Sequence, residues 1–134
     1  MGKTYTVDLV GQAVEDAVRG YVKGAGAAVK RAVERCAAET NAEIKAHSIF
    51  KRRTGAYEKA FALKVVHVDE MNERIRWYVK APHYRLTHLL EFGHRIVDRN
   101  GRMHGTTRPI PHIEYGEALA QKRLPQLIEE EMQK

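Results

Sequence analysis

A long repeat of apolar residues at helical spacing limits the folds that this chain can adopt more than any other feature of its sequence. Between Gln12 and Ile49, apolar side chains recur three and four residues apart, which places them on one face of an α-helix. A continuous helix of this length would extend for about 55 Å, more than a small domain can cover by itself. We therefore expect part of the helix to pack against another molecule. The repeat consists of Val14, Val18, Tyr21, Ala25, Ala28 and Ala32, with Val22, Val29, Val33 and Cys36 beside them.

Three glycines fall inside this repeat, namely Gly20, Gly24 and Gly26. Each costs about 1 kcal/mol relative to alanine in a helix interior, so a break or kink at this point is one possible outcome. The other is a continuous helix whose glycines allow another helix to approach closely. We place the helix at 12–53, after an extended arm at 1–11, with Lys51-Arg52-Arg53 complementing the dipole at its C-terminus.

The next segment, 56–81, predicts a β-hairpin. Apolar residues alternate with polar ones on both sides of a turn at Asp69 to Asn72, and this period of two is typical of strands that are buried on one face. We expect the long helix to cover the apolar face. The alternating apolar residues are Phe61, Leu63 and Val65 before the turn, and Ile75, Trp77 and Val79 after it.

The remainder predicts two helices separated by a long basic segment. We place a short helix at 82–92 and a C-terminal helix at 111–124, with Pro125 ending or kinking the latter before a tail at 125–134. The whole chain, 1–134, is predicted to be one domain of the α+β class, with a long N-terminal helix packed on a small antiparallel sheet, a short middle helix, a protruding loop or hairpin and a C-terminal helix.

The intervening segment 93–110, which we call the basic finger, carries a strong turn signal. Asn100-Gly101 favours a tight hairpin turn, and Arg95, Arg99 and Arg102 lie around it. We predict a polar finger that protrudes from the domain.

The two ends of the finger carry a possible ion pair. Glu91 lies in the last turn of the short helix, where the partial negative charge of the helix end makes a carboxylate unfavourable unless a cation pairs with it. We predict that Arg108 is this cation. Gly93 follows, and we expect it to adopt the left-handed backbone conformation that often ends a helix.

Composition narrows the class of protein. The formal net charge is +6, but the basic residues are spread along the chain, which favours a solvated surface over a dedicated nucleic-acid site. No apolar run approaches the ~20 residues that cross a bilayer, and the N-terminus lacks the apolar core of a signal peptide. Cys36 is the only cysteine, so an internal disulfide is impossible. We expect synthesis in the cytoplasm and no contact with a membrane.

Motifs for catalysis are weak. His88, Glu91 and His94 are three residues apart each time, so they drift around a helix instead of stacking on one face, and a metal site is disfavoured. Cys36 and Ser48 lack an obvious partner for nucleophilic chemistry, and no glycine-rich phosphate loop is present. We expect neither an enzyme nor a cofactor.

Three motifs follow one another along the chain, Arg53-Thr54-Gly55-Ala56-Tyr57, Leu89-Leu90-Glu91-Phe92-Gly93-His94 and Arg108-Pro109-Ile110-Pro111. In this order they resemble the tail-completion or neck family of long-tailed double-stranded-DNA bacteriophages, whose members join the tail to the head. The last motif departs from the family pattern, because Pro111 comes only two positions after Pro109 and His112 follows.

This resemblance implies a structural virion protein of the tail or neck, assembled in the host cytoplasm, without catalytic activity. It implies a ring, with six copies expected, between the tail terminator or tail tube and the head-closure or connector proteins. DNA would pass through the lumen of the ring without sequence-specific contact. The candidate structural and interface residues are Thr54, Gly55, Glu91, Phe92, Gly93, Arg95, Arg99, Arg102, Arg108 and Pro109.

Two alternatives remain open. A small basic nucleic-acid-binding module would use the cations of the helix end, the hairpin and the finger. A metal-dependent enzyme would use His88, Glu91 and His94. The cations of the first alternative are Lys51, Arg52, Arg53, Arg74 and Arg76, with the finger arginines.

Overall fold

The computed structural model describes residues 7–50 and 55–134, and its longest element is a single helix, α1, at Val7–Ala46. This helix passes through all three glycines without a break. The predicted arm at 1–11 is therefore wrong for residues 7–11, while 1–6 lie outside the described residues. The predicted C-terminal end at residue 53 is also wrong. The backbone leaves the helix after Ala46, where the Ser48 hydroxyl donates a hydrogen bond of 2.6 Å to the Ile44 carbonyl.

A C-terminal helix runs antiparallel along α1. Residues Ala32 and Cys36 of α1 pack against Leu127, and Gly116 lies directly against the side chain of Ile44. A Cβ at position 116 would approach Ile44 Cδ1 to 2.7 Å, so glycine allows the two helices to meet closely here.

This C-terminal helix spans Ile113–Met132, so the predicted end at 124 and the predicted polar tail are wrong. Pro125 lies inside it. The helix continues because its flanking residues are held by α1: Leu124 and Ile128 pack on the core that contains Leu127, and Glu131 binds arginines of α1. Tertiary packing thus outweighs the hydrogen bond that proline removes.

The predicted β-hairpin is present, although it is shorter than 56–81. Strand β1, Phe61–Val68, pairs antiparallel with β2, Glu73–Val79. A short helix, α2 at Ala56–Lys59, precedes them. The turn falls at Asp69 to Asn72 as expected, since the Asp69 amide donates a hydrogen bond of 2.9 Å to the Asn72 carbonyl.

The apolar face of the hairpin packs on α1, although only in part. The Trp77 indole donates a hydrogen bond of 3.0 Å to Asn41 of α1, and the tip of the hairpin rests on Gly26 at the Glu70 carbonyl. On β1, however, Leu63 and Val65 remain exposed. The predicted cover by the long helix therefore holds for β2 and is incomplete for β1.

The middle of the chain completes an α+β fold, as predicted. Helix α3 spans Tyr84–Phe92, and two short strands follow it, β3 at Arg95–Val97 and β4 at Met103–Thr106, which pair antiparallel. The C-terminal helix is α4. Among the described residues, none of the helices is both long enough and apolar enough to span a membrane.

Candidate assembly surface

Glu91 joins the end of α3 to the beginning of α4. Its side chain is buried, and its two carboxylate oxygens accept hydrogen bonds from three successive backbone amides, those of His112 at 2.8 Å, Ile113 at 3.0 Å and Glu114 at 3.0 Å. These are amides of the first turn of α4, which carry the partial positive charge of the helix. Since α4 has no side-chain cap of its own at His112, Glu91 acts as its N-terminal cap from a distance.

The predicted pair between Glu91 and Arg108 is therefore wrong. The carboxylate is occupied by backbone donors, and Arg108 is exposed with no ion pair to Glu91 among the described residues. The prediction of Arg108 rested on the negative end of α3 alone, which calls for a side-chain cation. The positive end of a second helix supplies the compensating charge instead.

This arrangement keeps Glu91 ionised. Burial is the largest influence on its pKa and raises it, but the three amide hydrogen bonds and the nearby His112 together lower the pKa below its ordinary value. The charge thus acts as a fixed structural element, and the group is poorly suited to transfer protons.

His112 and Tyr57 extend the contact of Glu91 into the core. The His112 ring is fully buried, with Nδ1 at 2.8 Å from Glu91 Oε2 and Nε2 at 2.8 Å from the Tyr57 hydroxyl. Burial, with a smaller contribution from the charge of Glu91, raises the pKa of Tyr57 and outweighs the hydrogen bond to Thr87, which lowers it. Tyr57 entered the sequence-based prediction only as part of a motif, and its role in the core was missed.

The base of the basic finger is closed by backbone hydrogen bonds. The amide of Thr107 donates to the His94 carbonyl at 2.8 Å, and the His94 amide donates to the Thr107 hydroxyl at 2.8 Å. Gly93 has φ of 74° and ψ of 170°, so its φ is positive as expected while its ψ is extended. A Cβ there would lie 2.6 Å from the Thr107 carbonyl, which explains the glycine.

The finger itself is a hairpin whose turn is organised by Asp98. Its carboxylate accepts hydrogen bonds from the Asn100 and Arg102 amides, both at 2.9 Å, and lies 2.7 Å from His104 Nε2. The contact with His104 and these amides lowers the pKa of Asp98. Gly101 has a positive φ of 80°, which confirms the predicted turn at Asn100-Gly101.

The finger presents its cations to solvent. Arg95, Arg99 and Arg102 are all exposed, as predicted for a protruding polar finger. Exposed apolar side chains lie beside them, with Val97 at 55 % and Met103 at 60 % of their full exposure. A surface that combines exposed cations with exposed apolar groups is suited to contact another macromolecule.

A groove of about 680 Å³ lies between α3 and the beginning of α4, beside the base of the finger. Phe92 and Tyr84 are exposed on its wall, Pro109 also lines it, and Glu114 and Glu117 supply negative charge. Phe92 and Pro109, both predicted interface candidates, thus lie at one surface. Gly55 is elsewhere, at the start of α2 with φ of 71°, and Thr54 lies outside the described residues.

The geometry does not assemble the alternative metal site. The carboxylate of Glu91 accepts hydrogen bonds from the backbone amides of α4. The His94 side chain lies beside Thr107, and the His88 ring packs against Phe92 with ring centroids 5.0 Å apart. Within residues 7–50 and 55–134, no cluster of potential ligands could hold a metal ion. Lys51, Arg52 and Arg53 of the nucleic-acid alternative lie outside this part of the chain.

Residues 12–93 match the model of the HK97-gp10-like family, described as "Bacteriophage HK97-gp10, putative tail-component". The match covers more than half of the chain. The chain belongs to this family. Comparisons with curated proteins and with solved structures found no match.

HK97-gp10-like membership confirms the predicted assignment to the tail-component proteins of tailed phages. The protein is thus a structural component of a phage tail, and its location is the virion. The matched range begins in α1 and ends at Gly93, so it contains the second motif up to the glycine. The rest of the finger, from residue 94 on, and α4 lie beyond it.

Proposed function

We propose that this HK97-gp10-like protein is the tail-completion or neck component that joins the tail to the head, acting as a non-enzymatic ring of six copies. The ring would lie between the tail terminator or tail tube and the head-closure or connector proteins, with DNA passing through its lumen. The observation that carries this proposal is the basic finger, an ordered and exposed hairpin whose direction is fixed at its base by Gly93 and Thr107.

The contacts of a ring must join different surfaces of neighbouring copies. A head-to-tail interface of this kind closes into a ring when its rotation allows, whereas a self-complementary interface gives a dimer. The protein offers two unlike surfaces with opposite charge, namely the finger with its exposed arginines and the groove with Glu114 and Glu117. We infer that the finger of one copy enters the groove of the next.

Deletion of the gene tests the place of the protein in assembly. We expect filled heads and separate tails in electron micrographs, because the joint between them is missing. Particles with normally attached tails in the deletion strain would refute the proposal.

Complementation tests the finger. A double variant, Arg99→Glu with Arg102→Glu, should fold normally yet fail to restore joined particles, since repulsion replaces attraction at the groove. The control reverses the same number of charges at exposed sites elsewhere, Lys59→Glu with Lys122→Glu, and should restore joining. Equal complementation by both variants would show that the finger is not the contact.

Direct nucleic-acid binding is the second candidate, and the exposed finger arginines favour it. Phosphate neutralisation would make the affinity for duplex DNA fall steeply with salt concentration. The finger double variant would then lose DNA binding in a gel-shift assay. Absence of DNA binding by the natural protein at low salt would eliminate this candidate and leave the ring proposal intact.

A further inference from the structure

The outer face of the β1–β2 hairpin carries a row of exposed cations. Side chains alternate along β2, so Ile75, Trp77 and Val79 face α1 and the residues between them face away from it. The pairing continues one residue past the strand, because the Lys80 amide donates a hydrogen bond of 2.8 Å to the Ala60 carbonyl. The exposed cations on this side, which we call the basic face, are Lys64 of β1 with Arg74, Arg76 and Lys80.

The cations of the basic face differ from several arginines of the helices, which have acidic partners. Arg31 and Arg35 of α1 pair with Glu131, and Arg123 of α4 pairs with Glu39. Among the residues that the structure describes, by contrast, no ion pair includes a member of the basic face. The positive charge of this face is therefore available to a ligand.

The arrangement of these charges opposes folding. Lys64 lies directly opposite Arg76 in the antiparallel register, and like charges at such a cross-strand pair are destabilising. The exposed acids of the hairpin, Asp69 and Glu70, lie at its turn, where Asp69 accepts hydrogen bonds from the amides of residues 71 and 72. A local cost that the fold itself does not require is typical of a functional surface.

We propose that the basic face binds the phosphate backbone of double-stranded DNA without reading its sequence. Arg74 and Arg76 are two residues apart on one strand, so their Cα atoms are separated by about 7 Å and both side chains can reach one line of phosphates. Guanidinium and ammonium groups are donors only, which suits phosphate oxygens. The inference rests on the proposed function for the place of contact, since this face would line the lumen that DNA traverses.

The chemistry of the basic face favours DNA over an acidic protein. Interfaces between proteins are usually centred on large apolar or aromatic side chains that become fully buried. The exposed apolar residues of β1, Leu63 and Val65, lie on the opposite side of the hairpin, in register with Trp77 and Ile75. The basic face thus offers charge and hydrogen-bond donors without a large exposed apolar anchor.

The salt dependence of DNA binding tests the proposal. Each phosphate contact contributes about one to the slope of the logarithm of the binding constant against that of the salt concentration. The hairpin double variant, Arg74→Gln with Arg76→Gln, should reduce this slope by about two for a duplex of any sequence, as measured by fluorescence anisotropy. The control, Lys45→Gln with Lys122→Gln, removes the same charge at exposed helix positions and should leave the slope nearly unchanged. Equal changes in both, or no DNA binding by the natural protein at low salt, would overturn the proposal.

Two further measurements separate the basic face from the finger and from a role in folding. The finger double variant, Arg99→Glu with Arg102→Glu, should change the salt slope less than the hairpin double variant does. A larger change would place the DNA contact on the finger and overturn the proposal. Arg76→Gln should not lower the melting temperature, because it relieves repulsion from Lys64. A marked fall would show that the cations serve the fold, and it too would overturn the proposal.

Complementation separates failure of this inference from failure of the proposed function. The salt slope reports on the basic face, whereas joined particles in electron micrographs report on the proposed function, so each can fail alone. The hairpin double variant could bind DNA like the natural protein and yet fail to restore joined particles. That result would identify the basic face as a contact for an acidic virion protein, which overturns the inference and leaves the proposed function standing.

Discussion

At the scale of single residues, Glu91 is the side chain on which most of the local architecture depends. It is the N-terminal cap of α4, and it also contacts His112, which leads to Tyr57 and the aromatic core. Removing one partner from such a network leaves the other buried groups without hydrogen bonds, which is costlier than losing the bond itself. Glu91 is thus a structural acid at the base of the proposed contact surface.

Glu91→Gln should lower the free energy of unfolding by about 1 to 3 kcal/mol, because the amide group that replaces one oxygen cannot accept hydrogen bonds from the α4 amides. Urea denaturation measures this. Glu117→Gln, an exposed change in the same helix and groove, is the control and should have little effect. Arg108→Gln should also have little effect. If it lowered the free energy of unfolding as much as Glu91→Gln does, Arg108 would have to be the partner of Glu91 after all.

Glu131 predicts how stability depends on pH. Hydrogen bonds from Arg31 and Lys134, with Arg35 contributing less, lower the pKa of this carboxyl from 4.5 to about 2, although burial opposes them. Because the folded pKa lies below the unfolded one, the stabilisation is complete above pH 4.5 and is lost as the pH falls towards 2.

The difference in free energy of unfolding between the natural protein and Glu131→Gln should therefore shrink as the pH is lowered from neutral to about 2. Urea titrations at several pH values measure it. Glu129→Gln, an exposed change on the same helix, should give a small difference that does not vary in this range. A constant difference for Glu131→Gln would contradict the assigned ion pairs.

The sequence indicated that Glu91 needed a partner but could not identify it. Side-chain types are visible in a sequence, whereas the backbone amides of a distant helix are not, so a nearby arginine was chosen. One signal was available: Ile110 to Ile113 contain no serine, threonine, aspartate or asparagine, so α4 begins without a local cap and must find one elsewhere.

At the scale of elements, two glycines of α1, Gly24 and Gly26, have different surroundings. Gly26 lies against the backbone of Glu70, and a Cβ there would collide with the Glu70 carbonyl, whereas no atom lies within 4 Å of a Cβ on Gly24. From the sequence, both were predicted either to weaken the helix or to let another helix approach closely. The structure distinguishes a glycine required for packing of the hairpin from one that only lowers helix propensity.

Gly26→Ala should lower the free energy of unfolding by about 1 to 3 kcal/mol, because a rigid backbone must move to admit the methyl group. Gly24→Ala should raise it by about 0.5 to 1 kcal/mol through helix propensity alone. Thermal or urea unfolding of the two variants tests both signs. The same sign for both would mean that the hairpin tip does not rest on α1 as described.

Local signals predicted turns well and helix ends poorly. Asn100-Gly101 and Asp69 to Asn72 act over four residues, so their sequence suffices. The end of α4 depends instead on its packing against α1, which carries it past Pro125. Long-range packing of this kind leaves no short motif for a sequence analysis to detect.

At the scale of the whole molecule, the two halves of α1 differ in their tertiary contacts. Residues 25–46 pack on α4 and the hairpin, whereas residues 10–21 are exposed throughout. The sequence predicted that a helix this long would exceed its domain, and the structure shows which part does so. It could not predict the boundary, because that depends on where α4 ends.

This division predicts a gradient of hydrogen exchange along one continuous helix. In dilute protein, amides of residues 10–21 should exchange much faster than those of residues 28–44, since an isolated helical segment without tertiary contacts is only marginally stable. Mass spectrometry of deuterated peptides measures this, with α4, which packs along α1, as the internal reference for slow exchange. Uniform protection of α1, equal to that of α4, would show that the N-terminal half is held by contacts within one chain.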